Sequence, residues 1–222
     1  YLVPWDLASS PGRAFSFTKI NWPQSTEFKP SFMRVGSIAH RLTDLLEVIL
    51  ILIIYAHPYP EKSLVNQAML ERVSSNPDVV VRSLYDLYPD FNIDVEAEQR
   101  AVDQAQLLVL QHPMYWYSSP PLLKLWIDKV FTHGWAYGKG SVGLKDKSLM
   151  WAVTTGGEHD HFQIGDHPGF SVLAQPLHAT AIYCNMRWLN PVVVHGAYAD
   201  EPDFIHSQIE HYYSRLASWK EY

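Results

Sequence analysis

Five short runs of apolar, β-prone residues recur along the chain with helix-length segments between them: LILIIYA at 50–56, VVVRSL at 79–84, QLLVLQ at 106–111, SLMWAVT at 148–154 and WLNPVVVH at 188–195. Most do not alternate polar with apolar residues, and a strand that is apolar on both faces has to be covered on both faces. The intervening segments carry helical signals: 64–74 behind Ser63 as N-cap, 95–104 behind Asp94, 121–131 from Pro121, 170–183 with Pro176 placed to kink it, and an amphipathic closing helix at 203–219. Strands that alternate with helices predict an α/β fold built on a parallel sheet. Right-handed crossovers then leave few topologies, and the natural one is a five-stranded sheet in the order 2-1-3-4-5 with helices on both faces.

Composition narrows the class further. With 222 residues, 47% apolar, and a mean hydropathy of -0.13, the chain has enough material for one water-soluble core. A net charge of -6 and the lack of any long Lys/Arg run argue against a nucleic-acid partner or a polybasic membrane anchor. The single cysteine, Cys184, cannot form an internal disulfide; a reducing cytoplasm and a role as a small buried hydrophobe are expected. The longest apolar run, 45–56, is broken by Glu47 and falls short of the roughly 20 residues a membrane-spanning helix needs. Residues 1–49 mix Pro, Ser and aromatic residues without either period. They are expected to be an appendage outside the fold, from translated upstream sequence or an expression remnant, leaving 50–222 as the folded domain.

In an open parallel sheet, ligands bind beyond the carboxyl ends of the strands near the topological switch point. Three loops therefore matter most: HPYPEKSLVN at 57–66, HPMYWYSSPP at 112–121 and TTGGEHDHFQIGDHPG at 154–169. The first ends in Ser63 at a helix start, where free N–H groups and the helix dipole suit a phosphate, and His57 can add a donor. Neither GxGxxG nor GxxxxGK[ST] is present, which favours a monophosphate cofactor over a dinucleotide or a P-loop. The second sets Met114, Tyr115, Trp116 and Tyr117 where they can sandwich a flat ring. The third contributes Thr154, Thr155, Gly156 and Gly157, where the glycines' lack of side chains lets backbone amides approach a ligand edge. One phosphate loop and two ring loops together describe an FMN site.

The strings ILIIYAHPYP, SLYDLYPDFNID, QHPMYWYSSPPLLKLWIDKVF, HGWAYG and WAVTTGG resemble the flavodoxin-like NAD(P)H:quinone oxidoreductases, and within them the ancillary subunits of bacterial glutathione-regulated potassium-efflux systems. The resemblance runs from Leu50 to the C-terminus. It implies that His57, Ser63, Leu64, Val65 and Asn66 hold the FMN phosphate, and that Met114 to Tyr117 and Thr154 to Gly157 hold the ring. It also implies a cytoplasmic homodimer with the site at its interface, where Trp116, Trp126, Trp135 and Phe131 are candidate lining residues. Electrons would pass from NADH or NADPH to a quinone. The protein would sit peripherally on the inner membrane through a potassium efflux channel whose activity it supports under electrophile stress. Longer relatives carry a Tyr and a His after TTGG as a charge relay; here the Tyr position is Phe162, leaving His161 and His167 as the nearby candidates. Those relatives bind FAD through extra C-terminal length, so FMN is expected here.

Other readings remain in view at this stage: a flavodoxin-type one-electron carrier, or a purely regulatory flavin-binding subunit. His159, His161 and His167 share a loop but lack the ligand spacing of a zinc shell. Asp128 and Lys129 are expected to be solvated charges.

Overall fold

The computed structural model describes residues 50–162, 169–198 and 202–221. The appendage expected at 1–49, and His167, lie outside the described residues. Six parallel strands form one sheet: β1 Ile51–Tyr55, β2 Val79–Ser83, β3 Leu107–Pro113, β4 Ser148–Thr154, β5 Arg187–Trp188 and β6 Val192–Val194. The order is β2-β1-β3-β4-β5, with β6 also pairing with β4, so the expected 2-1-3-4-5 topology is present. Seven helices accompany the strands among the described residues: α1 Leu64–Val73, α2 Leu84–Leu87, α3 Val95–Asp103, α4 Pro121–Val130, α5 Phe170–Leu173, α6 Gln175–Tyr183 and α7 Pro202–Ala217.

Alternation along each strand divides the core into two layers. Ile51, Ile53 and Tyr55 of β1, with Leu107 and Val109 of β3, meet Val65, Met69 and Val73 of α1 and Ile209, Tyr212 and Leu216 of α7. Leu52, Ile54, Leu108, Leu110 and Trp151 face the other way, onto Val102 of α3, Leu122 and Trp126 of α4 and Ala181 of α6. Successive side chains of a strand point to opposite faces. The unbroken apolar runs are therefore consumed by two helical layers. Only β2, at the sheet edge, leaves Val80 and Val81 exposed.

The expected single strand at 188–195 is instead two. Leu149 pairs with Trp188 but Ala152 pairs with Val192, so the register shifts by one residue across Asn190 and Pro191. Pro191 has no N–H for the ladder, and an extra residue at such a point is a bulge. The helix expected at 170–183 divides at Ala174 into α5 and α6, just before Pro176. Asp94 caps α3 as expected, its carboxylate accepting from Ala97 N at 2.9 Å. Ser63 precedes α1 but makes no side-chain capping bond, which corrects the expectation that it caps the helix.

Trp126 and Phe131 are buried in the layer beneath α4 and cannot line an interface, contrary to expectation. The Trp126 indole donates to Glu98 Oε2 at 2.9 Å. Glu98, 0% exposed, also accepts from Arg82 Nε at 2.7 Å and from the Tyr88 hydroxyl. One buried carboxylate thus ties α3 to β2, to the loop behind α2 and to α4. Lys124 pairs with Asp128 on the exposed side of α4, in keeping with the solvated role expected for Asp128.

Candidate functional site

At the carboxyl end of the sheet lies an open cleft of about 210 Å³. That is below the roughly 300–1,000 Å³ of enclosed ligand pockets, as suits a groove with one open side. Its first wall is the segment after β1. A short 3-10 turn, Pro60–Lys62, leads into α1, and Gln67 Nε2 ties the turn down through Pro60 O at 2.6 Å. Because Ser63 does not cap, the N–H groups opening α1 at Leu64, Val65 and Asn66 have no partner among the described residues. Together with the helix dipole they form a donor set for an anion.

His57 stands beside this helix start. Tyr59 N–H donates to His57 Nδ1 at 3.1 Å, so Nδ1 is the acceptor and the neutral ring carries its proton on Nε2. Burial lowers its pKa to about 4. The ring therefore serves as a neutral Nε2–H donor at physiological pH. Lys62, whose ammonium lies 5.3 Å from the Tyr59 ring centroid, adds a cation to the cleft wall.

The second wall follows β3. Met114 N donates to Thr154 O at 2.8 Å, which joins the β3 and β4 loops. Tyr115 and Ser118 then close a tight turn through reciprocal backbone bonds of 3.0 and 2.9 Å. Its central residues, Trp116 and Tyr117, have φ of 48° and 61°. Bulky residues rarely adopt this left-handed conformation, and such strain gathers at functional sites. The turn sends the Trp116 side chain, 70% exposed, into solvent.

The third wall is 154–157, and beneath it runs a buried polar chain. Asn66 Nδ2 donates to Thr154 Oγ1 at 2.8 Å, Gln111 Nε2 reaches Asn66 O at 3.3 Å, and the Tyr212 hydroxyl donates to Gln111 Oε1 at 2.9 Å. This chain links α1, β3, β4 and α7 under the cleft, so the loops hold a common geometry. His112, next to Gln111, is fully buried. Trp151 Nε1–H donates to its Nε2 at 2.7 Å, which leaves Nδ1–H to bond Pro113 O at 2.8 Å. Burial lowers its pKa to about 4.

Of the residues assigned to a cofactor from sequence, His57, Ser63, Leu64, Val65, Asn66, Met114, Tyr115, Thr154, Thr155 and Gly156 line this one cleft. Trp116, Tyr117 and Gly157 do not. Gly157 lies behind, where an added Cβ would sit 3.4 Å from the Phe162 ring and 3.5 Å from His161. His161 therefore borders the back of the glycine segment, and Phe162 is buried against Phe170 with ring centroids 4.7 Å apart. Sequence reasoning missed Tyr59, Lys62, Pro113, Ala197 and Tyr198, which also line the cleft. Lys62 was within reach, as a cation immediately before a phosphate-ready helix. Ala197 and Tyr198 were not, because they arrive through the shifted register of β6: Thr155 N donates to Val194 O, Ala197 N to Thr155 O, and Gly196 N to Gly157 O. No group of three His, Cys, Asp or Glu side chains able to hold a metal occurs among the described residues.

Comparison with known proteins fits this architecture. A family model described as the flavodoxin-like fold matches residues 50–217, and the chain belongs to that family. A solved structure named general stress protein 14 from Treponema denticola, in complex with FMN, is 33% identical, covers 76% of this chain and 98% of its own, and superposes with a TM-score of 0.70. An NADPH-quinone reductase from P. pentosaceus is 32% identical over 74% of this chain and 95% of its own, at a TM-score of 0.68. A third, named a thermophilic tryptophan halogenase from Streptomycin violaceusniger, is 36% identical over 74% and 97%, at 0.72. These names diverge while the fold is shared, so the activity has to be argued from the cleft.

Proposed function

We propose that the cleft binds FMN and that the protein is an FMN-dependent NAD(P)H:quinone oxidoreductase. The observation that carries this reading is the uncapped start of α1, with neutral His57 beside it, opening into the same cleft as Thr154 to Gly156. A phosphate fits the first feature and the edge of a planar ring fits the second. An FMN complex and an NADPH-quinone reductase among relatives above 30% identity support it.

When bound, FMN supplies the hydride chemistry. The protein's residues do the rest. The N–H groups of Leu64, Val65 and Asn66 and His57 Nε2–H would hold the phosphate, with Lys62 adding charge. Gly156, whose N–H has no partner among the described residues, would offer a backbone donor at the ring edge beside Thr154 and Thr155, and Met114 and Tyr115 would supply apolar surface. Phe162 cannot move a proton, and His161 lies behind Gly157, so we assign neither of them a proton-transfer role.

Absorption spectroscopy of the purified protein, with the released cofactor weighed by mass spectrometry, tests the first claim: flavin bands and the mass of FMN are expected. Stopped-flow mixing with NADPH and NADH then tests the second. Direct bleaching of the flavin by either nucleotide supports the reductase. An unreduced flavin supports a one-electron carrier of flavodoxin type and sinks the reductase.

The strings shared with efflux-system subunits support a narrower proposal, that the protein assists a potassium efflux channel as a homodimer at the cytoplasmic face of the inner membrane. Potassium efflux from cells under electrophile stress, with and without this protein, measures that role. Equal efflux in the two would overturn it.

A further inference from the structure

His195 follows β6 and is not among the residues that sequence reasoning brings to the site, yet its ring is built into the back of the cleft wall. It is 8% exposed. Its backbone is clamped at both ends by one side chain of α7: His195 N donates to Gln208 Oε1 at 2.9 Å, and Gln208 Nε2 donates to His195 O at 3.3 Å. Phe162, Phe170 and His159 surround the imidazole, with ring centroids 5.5, 5.2 and 5.2 Å away. Nδ1 lies 3.2 Å from Thr155 Oγ1.

The direction of that last bond follows from proton counting. The Thr155 hydroxyl has one hydrogen and donates it to Gly157 O at 2.7 Å. It can therefore only accept from His195, which fixes the imidazole as its Nδ1–H tautomer. The sequence His195 Nδ1–H to Thr155 Oγ1–H to Gly157 O closes the peptide segment 155–157 from behind, while Gly196 N–H closes it from the side at 3.0 Å. Thr155 and Gly156 line the cleft on the other face of this segment. Burial, with His159 alongside, lowers the His195 pKa to about 4, so at physiological pH the ring is neutral and its single proton is the one on Nδ1.

We propose that His195 is a positioning residue for the cofactor loop: its Nδ1–H orients the Thr155 hydroxyl, whose bond to Gly157 O sets the backbone of Thr155 and Gly156 that would border the isoalloxazine ring. The inference rests on the FMN reading for its ligand, but its geometry does not. A buried phenylalanine cage alone would tolerate leucine at this position. The hydrogen-bond chain would not.

His195→Leu, His195→Asn and Thr155→Val test it, the asparagine retaining an N–H donor near the place of Nδ1. Amide hydrogen exchange of the flavin-free protein, followed at Thr155, Gly196 and Ala197, reads the latch without a cofactor. FMN titration, followed by flavin fluorescence and the position of the visible bands, reads its consequence. His195→Leu and Thr155→Val are expected to speed exchange at those amides and to weaken FMN roughly tenfold with a shifted visible band, about the effect of one lost hydrogen bond. His195→Asn is expected to stay within roughly threefold of the parent. Thr155→Val reaches the same bond from its other end should His195→Leu not fold. Unchanged exchange and affinity in both donor-removing variants would overturn the proposal, as would an asparagine variant as impaired as the leucine one. Exchange that rises as expected in the two variants, when the parent protein takes up no FMN, supports the latch and overturns the cofactor reading.

Discussion

Gly156 shows how little room the cleft wall leaves. A Cβ there would lie 3.0 Å from two ring atoms of Tyr198, tighter than nine in ten real contacts. Tyr198 is 83% exposed, so it can swing aside at small cost to the fold. Gly156→Ala is therefore expected to change folding stability by less than about 1 kcal/mol while weakening FMN binding, and Tyr198→Ala in the same protein is expected to restore part of the loss. Titration of the single and double variants gives the coupling energy, expected at about 1 kcal/mol for residues in contact. Additive effects would show that Tyr198 does not press on the glycine. Among the residues that line the cleft, His57, Ser63 to Asn66 and Gly156 were legible because a helix start and a side-chain-free loop have one-dimensional signatures. The tautomers of His57, His112 and His195 had none, since each depends on a partner brought up by folding.

Glu98 belongs to the scale of elements, because α3, β2 and α4 meet on its two oxygens. Glu98→Leu leaves the Tyr88 and Trp126 donors without their acceptor and the Arg82 guanidinium without its counter-charge, and breaking such a buried pair from one side costs about 3 kcal/mol or more. Urea denaturation measures it. Replacing Glu98 and Arg82 together by Leu and Met is expected to cost less than the two single changes added, because no charge is then stranded. The Arg72–Glu210 pair between α1 and α7 has the same chemistry in the open, with side chains about a third exposed. Arg72→Ala is expected to leave the urea midpoint nearly where it is, because solvent screens an exposed pair. The elements themselves were largely readable. Apolar runs announced β1, β3 and β4, Asp94 announced α3 and Pro121 announced α4. The break between β5 and β6 was not, because VVV and the run before it share the same β-prone character and only pairing with β4 reveals the extra residue.

At the scale of the whole molecule, acid is the condition to which this fold should respond. His112 and His195 are buried and neutral, and their pKa values are lowered from 6.5 to about 4. The unfolded chain takes up these protons near pH 6.5 while the folded one holds out to about 4, so the unfolded state binds more protons in that window and stability falls as pH falls. At 1.36 kcal/mol for each unit, the fully buried His112 alone accounts for up to about 3 kcal/mol. Urea midpoints are expected to be level above pH 7 and to drop steadily from about 6.5 to 4, with a shallower drop in His112→Gln. The proposed dimer is tested at this scale too. Val172, Ile182 and Tyr183, on or beside α5 and α6, are exposed apolar side chains, as is Trp116. Ile182→Lys is expected to shift sedimentation toward monomer and to leave the unfolding midpoint nearly unchanged; an unaltered sedimentation profile would place any dimer contact elsewhere.

By itself the sequence determined the class of fold, the order of the strands and the end of the sheet where chemistry gathers. Those follow from local period, from the chirality of crossovers and from loop composition, all of which survive in one dimension. Tertiary structure alone decided which aromatic residues reach the cleft. Trp116 and Trp126 look alike in the sequence, yet a turn with two positive φ angles turns one out to solvent, while the apolar face of α4 buries the other beside Glu98. It also decided that the loop after β6 joins the site, bringing Ala197, Tyr198 and the Thr155-bonded His195. That depends on a one-residue shift in register, and a hydrogen-bond partner forty residues away in the chain leaves no mark on local pattern.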